Sequence, residues 1–176
     1  MLSHNKHILS LCSLLILVWV TIMVSCASVS EMPQEVESHD WPIFRGSPSL
    51  SGYTLASLPA QPKLLWSHSS HTRTVASPIV YNSMVYTLSR KGELRAFTLS
   101  GDSCAFYDFK TPIEASFVVT DSVLYVGRID GYVTALSLNQ LHRSPSSVKP
   151  LWEYETFGQI SGSPNLVGDN LLVGSY

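Results

Sequence analysis

"VYTLSRKGELRAFTLSGD", residues 85–102, and "LYVGRIDGYVTALSL", residues 124–138, decide the fold of this chain. Each stretch contains two runs of alternating apolar and polar residues, separated by a short turn with a glycine, Gly92 or Gly131. Alternation with a period of two predicts half-buried strands, and a glycine-containing break of a few residues predicts a hairpin between them. The same antiparallel hairpin is therefore expected twice along the chain.

The hairpin is part of a longer repeat. Ser77, Ser116 and Ser163 open equivalent strands at spacings of 39 and 47 residues. Further positions keep register with these serines: Tyr86, Tyr125 and Leu172 lie nine residues after them, Leu99 and Leu138 lie twenty-two after, and Trp66, Phe106 and Trp152 lie ten or eleven before. The additional residues of the longer spacing fall within 139–150, whose Ser and Pro content predicts a surface loop.

Each repeat supplies four short strands, and a single sheet of this size cannot bury both of its faces. The sheets must therefore stack side by side. A four-stranded repeat of about 40 residues predicts an all-β fold, a β-propeller of four-stranded antiparallel blades. The small residues at matched inner positions, Ala96 and Ala135, agree with a close approach of neighbouring sheets.

The strand count predicts that this propeller is incomplete. Residues 63–67, KLLWS, read as a lone outer strand, two full blades follow, and residues 162–175 begin another blade. We thus expect two full blades and parts of two others, whereas propellers close with roughly four to eight. The expectation is an N-terminal fragment of a longer protein, with assembly of several copies into one ring as the alternative.

Composition excludes several classes of function. Charged residues make up 14% of the chain, with 11 Lys and Arg against 13 Asp and Glu, so no basic face for nucleic acid is predicted. Cys12, Cys26 and Cys104 have no ligand spacing, which argues against a zinc site. His68 and His71 lie in a polar loop without a third ligand nearby. We predict no metal site, no cofactor and no nucleic-acid partner.

The N-terminus has the pattern of an export signal. A basic start is followed by an apolar run from Ile8 to Val24, which predicts a secretory signal. The sequence VSCA at its end resembles the lipobox of bacterial lipoproteins, in which the cysteine is lipidated and becomes the new N-terminus. Residues 1–25 are thus predicted to be a removed signal peptide and Cys26 the lipid attachment site. Ordinary cleavage near Ala27 and a retained membrane helix are the alternatives.

Residues 26–40 are polar and lack an apolar period, which predicts a flexible tether between the membrane and the propeller. After this tether, "WPIFRGSPSLSGY" at residues 41–53, a Trp-containing strand, an SP-x-V strand and the two hairpins resemble the pyrroloquinoline-quinone-like propeller repeat proteins. The resemblance covers residues 41–176. It implies that residues 41–62 are a leader that packs on the propeller, and that residues 63–176 are its repeats.

The same resemblance implies structural roles for five aromatic residues. Trp41 and Phe44 would anchor the leader on the disc. Trp66 and Trp152 resemble the tryptophans that dock between adjacent blades in this family. Phe106 departs from the family pattern because it lacks the indole N–H donor, although it keeps the apolar bulk of tryptophan.

Two functions follow from the resemblance. The first is a non-enzymatic envelope lipoprotein that binds protein or glycan, similar in architecture to the propeller lipoprotein of the outer-membrane barrel assembly machinery and attached to the outer membrane. The alternative is a fragment of a quinoprotein dehydrogenase-like enzyme. That chemistry needs a catalytic aspartate, oxygen ligands for calcium and, in many members, an adjacent cysteine pair, which this chain lacks. Its Asp102, Asp121, Asp130 and Asp169 lie in predicted turns, so no enzymatic activity is expected.

Overall fold

A computed structural model describes residues 40–70 and 72–176. The predicted signal peptide, Cys26, His71 and the tether up to residue 39 lie outside the described residues. Within the described ranges, no helix is long and apolar enough to cross a membrane.

The described chain folds almost entirely into antiparallel sheets. The first sheet has the order β1-β2-β3-β4 and the second the order β5-β6-β7-β8, while β9 pairs with β10 in a third. Their bounds are β1 Ile79–Tyr81, β2 Met84–Leu88, β3 Glu93–Thr98, β4 Ser103–Asp108, β5 Phe117–Val119, β6 Val123–Gly127, β7 Tyr132–Ser137, β8 Pro150–Glu155, β9 Asn165–Val167 and β10 Asn170–Leu172. The predicted all-β class with two full four-stranded sheets is confirmed. Residues 63–67, predicted as a lone strand, form no strand.

Glycine shapes the hairpin turns of both complete sheets. Gly92 and Gly131 stand between the second and third strands with φ of 92° and 88°, a region that favours glycine because it has no Cβ. A Cβ on Gly131 would lie 2.9 Å from the carbonyl oxygen of Gly158. The close approach of a neighbouring loop therefore also requires glycine at this turn.

The backbone reproduces the repeat that the sequence predicts. In each repeat, one equivalent hydrogen bond joins the residues after the second strand to the segment before the first strand: Arg90 N to Arg73 O at 2.8 Å, Ile129 N to Pro112 O at 3.3 Å and Tyr176 N to Gln159 O at 3.1 Å. The three donors are spaced as Ser77, Ser116 and Ser163 are. The third sheet therefore starts as the first two do.

The core lies between the first and second sheets. Tyr86, Leu94 and Ala96 on one face of the first sheet belong to the same buried cluster as Leu124 and Leu136 of the second sheet. All five side chains are almost fully buried. Removal of apolar surface from water, at about 25 cal/mol per Å², holds the two sheets together.

Residues 139–143 depart from the predicted surface loop, whereas residues 144–147 are exposed as predicted. Helix α1, Leu138–Arg143, is capped at its start by Ser137, whose Oγ accepts a hydrogen bond from the amide of Gln140 at 3.3 Å. Leu138 and Leu141 of this helix are buried in the same cluster as the two sheets. The insertion thus contributes to the core, and a helix of six residues is too short to show an apolar period in the sequence.

Candidate functional site

The start of the leader crosses the first strand of all three sheets. Trp41 forms a backbone bridge with Val80 of β1, and the carbonyl of Pro42 accepts from the amide of Val119 at the end of β5 at 2.8 Å. The carbonyl of Pro48 accepts from Nδ2 of Asn165 in β9 at 3.0 Å. The leader therefore bonds to the first strand of each sheet, although it forms no regular element of its own.

The two aromatic residues predicted to anchor the leader differ in burial. Trp41 is partly buried, and its ring lies so near Gly46 that a Cβ there would be 2.8 Å from Cε3 of the indole. Phe44 is exposed. Ile43 between them is buried, and sequence reasoning missed it because a single isoleucine in an irregular stretch carries no period.

Trp66 lies against the first sheet. Its Nε1 donates to the carbonyl oxygen of Leu99 at 2.9 Å, and its ring centroid is 5.6 Å from that of Phe97. A Cβ on Gly101 would lie 2.6 Å from Cγ of the indole. Trp66 thus packs over β3 and the turn that follows it, although Leu64 and Leu65 beside it are strongly exposed.

Trp152 of β8 lies on the far face of the second sheet. It stands opposite Ala135 in the strand register, and its ring centroid is 5.8 Å from that of Tyr125. Its side chain is nevertheless 44% exposed, and Tyr154, on the same face, is 65% exposed.

These two aromatic residues line an open groove of about 550 Å³. Val133 completes the wall formed by the second sheet, and Leu171 and Val173 line the side formed by the third. We call this feature the Trp152 groove. Its walls are mainly apolar.

The predicted equivalence of Phe106 with Trp152 is wrong, as the strand register shows. Ala105 pairs with Ala96 as Trp152 pairs with Ala135, so Ala105 holds the position equivalent to Trp152. Phe106 pairs with Arg95, and the Arg95 guanidinium lies 4.8 Å from the centre of its ring. A shift of one residue along a strand moves a side chain to the opposite face.

Helix α1 lies against β4, and its Leu141 belongs to the same buried cluster as Ala105. Its Leu141 is fully buried, and the ring of His142 meets the ring of Tyr86 with centroids 5.8 Å apart. The Tyr86 hydroxyl and Nε2 of His142 form a hydrogen bond of 2.8 Å. Burial raises the pKa of Tyr86 to about 12 and lowers the pKa of His142. Helix α1 therefore covers Tyr86 of the first sheet, as Trp152 covers the equivalent Tyr125 of the second sheet.

Three of the four turn aspartates, Asp102, Asp121 and Asp130, accept hydrogen bonds from neighbouring side chains. Oδ1 of Asp130 accepts from Nε of Arg128 at 3.0 Å, and Asp102 accepts from the Ser100 hydroxyl at 2.8 Å. Asp121 accepts from the hydroxyl of Tyr81, and this bond is the main reason that the pKa of Tyr81 rises to about 12. No group of three or more His, Cys, Asp or Glu residues within 40–70 and 72–176 could hold a metal ion.

Comparison with solved structures identifies the architecture. The chain is similar to a quinohemoprotein alcohol dehydrogenase from Pseudomonas putida, with 18% identity, a TM-score of 0.63, and coverage of 78% of this chain and 23% of the other. A europium-containing methanol dehydrogenase gives 18% identity, a TM-score of 0.63, and coverage of 78% and 27%. BamB from Moraxella catarrhalis gives 19% identity, a TM-score of 0.50, and coverage of 63% and 33%.

No protein-family model and no curated protein sequence matches the chain significantly. Identities of 18–19% show the fold alone. The sheets have the architecture of β-propeller blades, as the sequence predicted, and the resemblance to these three proteins is a resemblance of fold. The chain spans between 23% and 33% of the length of these three proteins.

Proposed function

We propose that this chain is a non-enzymatic lipoprotein of the bacterial cell envelope, whose propeller blades bind a protein partner in outer-membrane protein assembly. The observation that carries the proposal is the exposed aromatic wall of Trp152 and Tyr154 beside an apolar groove. Tryptophan and tyrosine in such surfaces contribute most of the binding energy in many protein interfaces. The similarity to BamB supports an envelope location.

The side chains support a binding role over catalysis. Asp102, Asp121 and Asp130 each accept hydrogen bonds from neighbouring side chains, which is the structural use of aspartate in loops. The two dehydrogenases share more of this chain's fold than BamB does. A fragment of a quinoprotein dehydrogenase-like enzyme is therefore the second candidate function. An activity assay distinguishes it from the first.

The lipid anchor is tested by metabolic labelling. Labelled palmitate should enter the wild-type chain and be absent from Cys26→Ala, which should also be released from the membrane fraction. Equal labelling of the two proteins would contradict lipidation at Cys26. Cys104→Ala is the matched control, because Cys104 lies in β4 and its substitution should leave labelling unchanged.

The binding role is tested by a photo-cross-linking amino acid placed at Tyr154 in cells. The expected result is an adduct with a protein of the outer-membrane assembly machinery. The same group at Asn139, which is exposed on α1, serves as the control and should give no such adduct. Equal adducts at both positions, or none at Tyr154, would contradict the proposal.

The enzymatic alternative has its own assay. Purified full chain, supplied with pyrroloquinoline quinone, calcium and an alcohol, is tested for reduction of an electron-accepting dye. The proposal expects no reduction above the protein-free control. Quinone-dependent reduction that follows protein concentration would overturn the non-enzymatic assignment.

A further inference from the structure

The interface between the first and second sheets has an alanine where the other repeats have a tryptophan. Trp66 and Trp152 each stand eleven residues before a repeat serine, whereas the residue eleven positions before Ser116 is Ala105. The strand register assigns the same position to Ala105. Protein interiors are close-packed, so another group must fill the volume that an indole would occupy beside this alanine.

The contacts of Trp66 show which positions of the following sheet hold such a tryptophan. Its ring packs on Phe97, and its Nε1 donates to the carbonyl oxygen of Leu99 at 2.9 Å. Gly101 leaves the space for the ring, since a Cβ there would lie 2.6 Å from Cγ of the indole. These three residues stand 20, 22 and 24 positions after Ser77. The third strand and the short turn after it therefore form the seat of the indole.

Helix α1 occupies the corresponding seat of the second sheet. The residues 20, 22 and 24 positions after Ser116 are Leu136, Leu138 and Gln140. Leu138 and Gln140 belong to α1, so a helix stands where the first sheet has a short turn. Gln140 carries a Cβ where the seat of Trp66 requires a glycine, and its amide is bound to Oγ of Ser137. An indole on β4 therefore has no room in this seat while α1 is in place.

The insertion itself supplies the volume that the alanine leaves open. Leu141 is fully buried in the same cluster as Ala105. The ring of His142 meets the ring of Tyr86 edge-on, and its Nε2 and the tyrosine hydroxyl form a hydrogen bond of 2.8 Å. Val148, further along the insertion, also packs against this cluster. The insertion of the second sheet thus reaches back over the first sheet at three points.

We infer that α1 is a strap that replaces the docking tryptophan at this interface, and that Ala105 and the insertion of residues 138–149 form a matched pair. At Trp66 a single side chain reaches into the following sheet, whereas here a helix reaches back onto the preceding one. A larger residue at Ala105 collides with α1, and removal of α1 leaves a cavity beside Ala105. Both sheets that flank this interface have all four strands within residues 79–155.

The strap concentrates the coupling between the two sheets in one short element. A helix of six residues is not stable in water by itself, because too few hydrogen bonds offset the ordering of its backbone. Helix α1 therefore keeps its structure only while Leu138 and Leu141 stay buried against the sheets. Loss of these contacts should release α1 and loosen the packing of the two sheets in the same step.

The test makes two changes in the full chain, separately and together. The first is Ala105→Trp. The second, the short-turn variant, replaces residues 138–149 with Leu-Ser-Gly-Asp, the sequence that forms the turn of the first sheet at residues 99–102. Each change alone should lower the urea midpoint of unfolding, because the indole collides with α1 or because the loss of Leu141 leaves a cavity. The combined variant should have a higher midpoint than either single variant.

Phe106→Trp is the matched control for the introduced indole. Phe106 pairs with Arg95 and faces away from α1, so an indole there cannot reach the seat. It should leave the urea midpoint of the short-turn variant unchanged. Fluorescence gives a second readout. The indole introduced by Ala105→Trp should emit at a shorter wavelength in the short-turn variant than in the wild-type background, since it is buried only when the seat is free.

Should the short-turn variant fail to fold, a size swap tests the same pair. Ala105→Leu should lower the midpoint of the wild type and raise that of Leu141→Ala, because the added side chain fills the cavity. Two results would overturn the inference in either design. One is an unchanged midpoint when the larger residue replaces Ala105 in the wild type, and the other is simple addition of the two losses, as for independent sites.

Discussion

The backbone amide of Ser116 donates a hydrogen bond to Oγ of Ser163 at 3.0 Å, although 47 residues separate them. The hydroxyl of Ser116 in turn lies 3.5 Å from the carbonyl oxygen of Ser77, 39 residues earlier. The three serines that mark the sequence repeat therefore link consecutive sheets near their first strands. Ser116 is buried, so its amide cannot turn to water if this partner is lost.

Loss of the Ser163 hydroxyl should destabilise the fold. Ser163→Ala leaves the buried amide of Ser116 without its acceptor, and such a loss costs about 1–3 kcal/mol. Urea unfolding of the full chain should show the lower midpoint. Ser122→Ala is the matched control, because Ser122 is exposed in the turn before β6. Equal midpoints for both variants would show that the bond between the sheets contributes nothing.

Much of the fold was predictable because its determinants are local and periodic. Alternation within residues 85–102 and 124–138 specified the hairpins, and the spacing of the repeat serines specified stacked sheets. The path of the leader was not predictable. Its bonds to β1, β5 and β9 use backbone groups and one side-chain amide, and these leave no pattern in the sequence.

The faces of the outer strands show where sequence reasoning failed. Aromatic character suggested Phe106 as the equivalent of Trp152, whereas the residue eleven positions before Ser116 is Ala105. The register confirms Ala105, and both outer strands pair with a shift beside the matched alanine, between Ala96 and Phe97 in the first sheet. Strict spacing was the correct signal, because the face of a side chain depends on parity along the strand.

Alanine at Gly131 should strain the β6–β7 turn. The residue has φ of 88°, and its new Cβ would lie 2.9 Å from the carbonyl oxygen of Gly158. A left-handed conformation alone costs a residue with a Cβ about 1–2 kcal/mol. Thermal unfolding should reveal the loss, while Gly162→Ala, with open space around its Cβ, should unfold close to the wild type. A Gly131→Ala protein as stable as Gly162→Ala would contradict the assigned turn.

Removal of Leu141 tests whether α1 belongs to the core. Its side chain is fully buried beside the two sheets, and truncation of a buried leucine costs about 2–5 kcal/mol. Leu141→Ala should therefore lower the urea midpoint strongly. Asn139→Ala, at an exposed position of the same helix, should change it little. If both variants unfold alike, α1 would be a dispensable surface element.

Acid should weaken the packing of helix α1 on the first sheet, because it protonates His142. Burial lowers the pKa of this histidine below its usual 6.5, so the folded protein binds its proton less readily than the unfolded chain does. The stability contributed by the neutral ring is present above pH 6.5 and is lost as the pH falls from 6.5 through the folded-state pKa. The unfolding free energy should accordingly decrease as the buffer is taken from about pH 7 towards about pH 5.

His142→Gln removes the titration, so the unfolding free energy of this variant should depend less on pH between about 7 and 5 than that of the wild type. Carboxylates lose their interactions at a lower pH than His142 gains its proton. Hydrogen bonding to Lys110 lowers the pKa of Asp108 below its usual 3.8, so its contribution persists until the pH falls below that value. An unchanged pH slope in His142→Gln would assign the acid sensitivity to other groups and remove His142 as its cause.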